Sequence, residues 1–236
     1  MVQLKPIVCG AIGVLALASP GVAQAPSPAR TVLFQNVRVF DGRSAALTAP
    51  SYVLVRGSRI EKVSAQPIPT DRSGDTLVIE GGGRTLMPGL IDAHAHLMFE
   101  TLAQAAVLTA DLAFVTVAAV KGAGDMLMRG FTSVRDLGGP VMGLKRGIDQ
   151  GLVPGPRIWP SGAFISQTGG HGDFRLPTEL PAAPGGFHFT ERIGAAAIAD
   201  DAEAVRRRAR EQLALGASQL KLMAGGGVGS SYARST

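Results

Sequence analysis

From residue 86 onward, strand-length apolar runs alternate with helix-length segments, and this alternation limits the fold more than any other feature of the chain. Residues 86–94, 131–137, 157–165 and 219–224 read as strands, and residues 102–129, 141–150 and 200–215 as helices. Such repeats imply a parallel sheet, because a parallel neighbour needs a crossover of a dozen or more residues, usually a helix. Four strands fit an open doubly wound sheet or half of a closed (β/α)8 barrel. A whole barrel takes about 250 residues, more than residues 86–236 supply, so the expected α/β fold is the N-terminal half of a TIM-like barrel. One stretch breaks the rhythm. Residues 166–194, rich in glycine and proline, follow the third strand on the face where barrel enzymes build their sites.

Upstream, residues 31–40, 52–63 and 76–80 carry β-type patterns. Alternation in Val37-Arg38-Val39 and Val53-Leu54-Val55-Arg56, with turn signals at Asp41-Gly42 and Arg56-Gly57-Ser58, predicts hairpin-like strands in a small β domain over 26–85. The first 25 residues read as a signal peptide. Lys5 precedes an apolar run over 7–18, too short to span a bilayer, and small residues over 21–25 offer a cleavage site. The expected location is therefore periplasmic or secreted, with no stable membrane association once the leader is removed. Cys9, the one cysteine of the chain, lies in this leader, so no disulfide is expected to hold the domain.

Of the 236 residues, 46% are hydrophobic, enough for a sizeable core, and 23 Lys and Arg stand against 18 Asp and Glu. The excess is not gathered on one face. Arg206, Arg207, Arg208 and Arg210 sit among Asp200, Asp201, Glu203 and Glu211 and read as the solvated face of a helix, so no nucleic-acid partner is expected. The run Gly225-Gly226-Gly227 is not a phosphate cradle, because no Lys-Ser/Thr pair follows it.

The sharpest chemical signal is Pro88-Gly89-Leu90-Ile91-Asp92-Ala93-His94-Ala95-His96. Residues two apart on a strand point the same way, so His94 and His96 project together from a strand end. Two imidazoles can meet one zinc ion at about 2.0–2.1 Å each, and a catalytic zinc keeps a position open for water. Spacing alone also allows two histidines lining a pocket without metal.

The stretch from Thr85 to His96, preceded by a small β region, resembles the opening of the amidohydrolases. Gly130-Phe131-Thr132-Ser133-Val134-Arg135-Asp136-Leu137-Gly138-Gly139 and Ser166-Gln167-Thr168-Gly169-Gly170-His171-Gly172-Asp173 resemble the branch related to imidazolonepropionase and Xaa-Pro dipeptidases. The resemblance implies a β-sandwich-like domain beside a distorted (β/α)8 barrel. It also implies divalent metal, Zn2+ by its donors, with two ions bridged by a carboxylated Lys221. From the residues alone, a snorkelling surface lysine is the commoner reading of Lys221. By the same resemblance His171 and Tyr232 face a small-molecule or dipeptide substrate, although each could be a loop residue without a role. Asp92 is a candidate to support the histidine pair, Asp136 a candidate for loop hydrogen bonding, and His188 reads as packed or exposed.

No histidine follows His188. The family's later metal-binding histidines and its general base are missing, so no complete catalytic set is expected and the chain reads as an inactive, truncated amidohydrolase. The implied reaction of the intact form is hydrolysis of a carbon–nitrogen bond, in an Xaa-Pro-type dipeptide or, alternatively, a cyclic amide. A non-catalytic binding fragment is the other class of reading. Oligomeric state cannot be read from the sequence.

Overall fold

The structure is a computed structural model that describes residues 30–71, 76–176, 178–179 and 186–226. The expected leader over 1–25, Gly227 and Tyr232 lie outside the described residues. The chain divides into two compact units, Met1–Met87 and Pro88–Thr236.

In the first unit, strands β1 (Thr31–Val39), β2 (Ser51–Arg56), β3 (Arg59–Ser64), β4 (Thr76–Glu80) and β5 (Thr85–Leu86) make one sheet. Its order is β3-β2-β1-β4, with β5 also on β1. The segment over 52–63 is a hairpin folded at Gly57, whose φ of +59° suits glycine. Hairpin logic stops there, since β4 and β5 both run parallel to β1. One strand serves both because it kinks at Asn36, which takes a left-handed φ of +50° where the β1–β2 register shifts. Leu33, Leu54 and Ile68, with Tyr52 against them, form the core on this sheet.

The second unit begins with β6 (Leu90–Ala95), then α1 (Gln104–Thr109), α2 (Leu112–Met128), β7 (Phe131–Asp136), α3 (Met142–Asp149) and β8 (Arg157–Pro160). The strands form a parallel sheet in the order β6-β7-β8. Helix α2 buries Val115, Ala119, Gly122, Ala123 and Met126, a stripe spaced by three and four residues, against Ala95, Val134 and Ile158 of the sheet. The single helix expected over 102–129 is two helices. Asp111 starts the second by accepting the Phe114 amide at 3.0 Å, so its side chain caps a helix instead of extending one.

Next come β9 (Phe164–Ser166), α4 (Phe189–Arg192), β10 (Ala196–Ile198), α5 (Ala202–Ala214) and β11 (Leu222–Met223), with a second parallel sheet ordered β10-β9-β11. The strand expected over 157–165 is therefore broken between two sheets. Gly162 turns the chain with φ of +70°, the Ser161 amide donates to the Asp136 carbonyl at 2.9 Å, and the Ala163 amide donates to Gln212 Oε1 at 2.9 Å. Strand β10 was not expected, because its buried alanines give neither alternation nor β-propensity. Helix α4 lies inside the stretch expected to be irregular, and the strand expected over 219–224 is regular only at Leu222–Met223.

One charge also departs from expectation. Arg208 is not part of a solvated face: its side chain is 15% exposed, bonds Glu191 at 3.2 Å and Glu211 at 3.0 Å, and lies 5.0 Å from the centre of the Phe187 ring. Among the described residues, no helix is long and apolar enough to cross a membrane.

Candidate metal and substrate site

Strand β6 delivers His94 at its C-terminal end, and the chain turns just after it at His96. Asp92 Oδ1 accepts the His94 amide at 2.9 Å. Glu100 Oε1 accepts the His96 amide at 3.3 Å, while the His96 carbonyl receives the amides of Phe99 at 2.8 Å and Glu100 at 3.2 Å. Both backbone groups of His96 are thus occupied within a five-residue turn. The two imidazoles come together, with ring centroids 5.4 Å apart and planes tilted by 58°. Rings this close can each reach one ion at the usual zinc–nitrogen distance of about 2.0–2.1 Å.

Burial lowers the pKa of the His96 imidazole, with the Gly138 main chain opposing and the neighbouring His94, Lys221 and His171 acting with burial. The neutral ring is the form that binds metal. His96 Nδ1 is buried without a hydrogen-bond partner, as is His171 Nδ1. The nitrogen donors suit a borderline-soft cation. Among the described residues, however, no three His, Cys, Asp or Glu side chains gather into a metal-holding group.

His171 is held by the chain after β11. Its amide donates to the Gly225 carbonyl at 2.8 Å, and Gln167 Nε2 donates to the Ala224 carbonyl at 2.9 Å. The Ser166 hydroxyl donates to the Met223 carbonyl at 2.9 Å and accepts the Gly172 amide at 3.1 Å. A second anchor is Asp173, 1% exposed, which accepts the Gly169 amide at 2.8 Å and pairs with Arg175. Burial opposes its charge, but Arg175 and the amide outweigh burial and hold the Asp173 carboxyl below the ordinary range. Gly170 and Gly172 of this loop therefore serve close approach, and Gly169 a left-handed turn at φ of +72°. A Cβ on Gly172 would lie 2.7 Å from that of Ser166.

His96 and His171 open onto one cavity of about 360 Å³, a volume that suits a small-molecule site. Phe99, Phe164, Phe174 and Met223 give it apolar walls, and Glu100 and Thr190 add polar groups. The His171 and Phe174 ring centroids are 6.1 Å apart, and Phe174 packs edge-on against Phe164 at 5.6 Å. His94 and Lys221 do not line this cavity. Lys221 lies just before β11, where its carbonyl accepts the Ile165 amide at 2.9 Å. His188 lies outside this group: it precedes α4, and its amide donates to Glu191 at 3.3 Å. Sequence reasoning missed Phe99, Glu100, Phe164 and Phe174. Glu100, four residues after His96 in a turn, offered the one local signal.

Asp136 ends β7 and is fully buried. Its Oδ2 accepts the Leu97 amide at 2.8 Å and its Oδ1 the Gly138 amide at 3.3 Å. Burial pushes this carboxyl up to about 7, with the two amides opposing and the charge of Glu100 reinforcing the rise.

Residues 85–235 match the amidohydrolase family, and the chain belongs to that family. Ochratoxinase of Aspergillus niger is 37% identical over 153 residues, covering 61% of this chain and 32% of that protein. A prolidase crystallised with N-methylphosphonate-L-proline matches with a TM-score of 0.73 at 37% identity, over 85% of this chain and 48% of its own. A Xaa-Pro dipeptidase with methionine bound in its active site gives 0.64 at 26% identity, over 81% and 46%. The chain thus spans about a third of the curated relative's length and about half of each solved chain.

Proposed function

We propose that this chain supplies metal ligands and one substrate wall of a metal-dependent amidohydrolase that cleaves carbon–nitrogen bonds, with Xaa-Pro-type dipeptides as the substrate class. The observation that carries this reading is the paired imidazoles of His94 and His96 beside the cavity that His171 lines. His94 and His96 would hold the cation, zinc by its nitrogen donors. When bound, such a cation polarises a carbonyl and supplies hydroxide near neutral pH. Lys221 joins the ligand set as a carbamate. Uptake of carbon dioxide by its neutral amine would turn a cation that repels metal into a two-oxygen anion able to bridge two ions.

His171, fixed on both sides by glycine and by the Gly225 carbonyl, would meet the substrate carbonyl or carboxylate with a ring nitrogen. Phe99, Phe164 and Phe174 would exclude water from the apolar part of the substrate. In this reading strands β6 to β11 belong to a (β/α)8 barrel, and the first unit is part of a β-sandwich-like domain over 26–85. The leader over 1–25 would send the protein to the periplasm or outside the cell.

The decisive experiment measures zinc uptake for the protein and for His94→Ala and His96→Ala, and, in a form that carries the complete ligand set, hydrolysis of an Xaa-Pro dipeptide panel with a cyclic amide as the contrasting substrate. Each substitution should remove most bound zinc. Full zinc content in both variants would refute the ligand assignment, and preference for the cyclic amide would overturn the dipeptide assignment.

A further inference from the structure

We propose that Asp136 is a positioning residue that holds the histidine turn and the lysine-bearing segment in one frame, by its carboxylate on one side and its main chain on the other. The inference rests on the reading of His94, His96 and Lys221 as ligands. The carboxylate takes the amide of Leu97, the residue directly after His96, at 2.8 Å. Leu97 and Met98 are each 1% exposed, so the turn cannot shift without moving packed side chains. On the other side, the Asp136 carbonyl accepts Gln219 Nε2 at 3.3 Å, and the same nitrogen donates to the Trp159 carbonyl at 2.8 Å. Gln219 stands two residues before Lys221, and the next amide back, that of Ser218, donates to the Pro160 carbonyl at 2.7 Å. One residue of β7 therefore touches both segments that carry the proposed ligands.

The buried carboxyl loses its hydration, and its two oxygens satisfy the Leu97 and Gly138 amides, which an apolar side chain of similar size would leave buried without partners. What the carboxyl supplies is direction. Each oxygen addresses one amide, so the Leu97 amide is fixed relative to β7, and the backbone of His96 with it. Partners that orient ligands without touching metal commonly change metal affinity by about 10–100-fold.

The test is zinc affinity, measured on the full chain by competition with a chromophoric chelator well below the melting temperature. Asp136→Asn keeps the volume but sets an NH2 group against one of the two amides, and Gln219→Leu cuts the other link. Each should weaken zinc binding by about 10–100-fold, and Asp136→Asn should also speed hydrogen exchange at the Leu97 amide. Val134→Ala, a buried change on the same strand, is the control for a merely structural effect: it should lower the thermal midpoint and leave zinc affinity unchanged. Wild-type affinity in Asp136→Asn overturns the proposal, as does an equal loss in Val134→Ala. If Asp136→Asn fails to fold, Gln219→Leu decides, and unchanged affinity there overturns it. A wild-type chain that takes up no zinc overturns the ligand reading itself and this inference with it.

Discussion

Thr168 gives its amide to one oxygen of Asp200 and its hydroxyl to the other, each at 2.7 Å. The turn that leads into His171 is thereby tied to the residue before the N-cap of α5. Asp200→Ala should release that turn. The pair is exposed, so each bond contributes less than the about 1.5–3 kcal/mol of a charged hydrogen bond, and amide exchange at Thr168 should accelerate by about 10-fold. The site is exposed and the core untouched, so the thermal midpoint should move by no more than about 3 °C. Exchange at the wild-type rate would show that the loop is held by its other bonds alone.

Asp136 predicts an uncommon pH dependence. Its pKa rises on folding from 3.8 to about 7, so the folded state holds a proton that the unfolded state gives up. The stability this supplies is fully present below pH 3.8 and is lost as pH rises towards about 7. Asp136→Asn carries no such proton. In chelator, the stability of the variant relative to the wild type should increase on going from pH 4 to pH 8, by on the order of a few kcal/mol. Urea unfolding of both proteins across that range checks it, and a pH-independent difference would refute it.

Gly138 lies two residues after the end of β7, beside the histidine turn. A Cβ there would fall 2.5 Å from Phe164 Cδ1 and 3.4 Å from His96 Nδ1. Gly138→Ala should cost about 1–3 kcal/mol of stability, through this overlap and through the φ of +153°, and should weaken zinc binding as His96 is displaced. Urea unfolding and chelator competition read the two effects separately. A variant with wild-type stability and affinity would mean that the Phe164 ring turns away freely.

The carbamate assignment of Lys221 separates from the histidine assignment by stoichiometry. In a form of the protein that carries the complete ligand set, Lys221→Ala should reduce bound zinc from two ions to one, with partial recovery when a short-chain carboxylic acid is supplied. Metal analysis on gel-filtered protein measures this. Full occupancy without added acid would leave Lys221 outside the ligand set.

Several features were legible because they depend on local pattern. Val115, Ala119 and Ala123 repeat with the period of a helix, and His94 and His96 share a spacing that brings their rings within 5.4 Å. Gly57 marked its hairpin because a positive φ favours a residue without Cβ. What the sequence hid depends on partners far along the chain. The break at Ser161–Gly162–Ala163 makes sense only once Gln212, from α5, takes the Ala163 amide. Strand β10 follows from burial against β9, not from its own alanines. Arg208 looked solvated because Glu191 and Phe187, which enclose it, precede it by 17 residues or more. Phe164 and Phe174 become cavity walls through the loop that carries His171, a relation with no sequence period.

The pairing of β9 with β11 also bears on the order in which the protein is made. Ser166 bonds the carbonyl of Met223, 57 positions later. Closing so long a segment costs chain entropy before any contact compensates it. During synthesis, β9 can pair with β10 soon after both leave the ribosome, but its other edge stays open until Met223 has emerged. The cavity wall that Met223 completes is therefore the last part of this sheet to close. A pause in translation before residue 223 would leave that edge exposed to other chains.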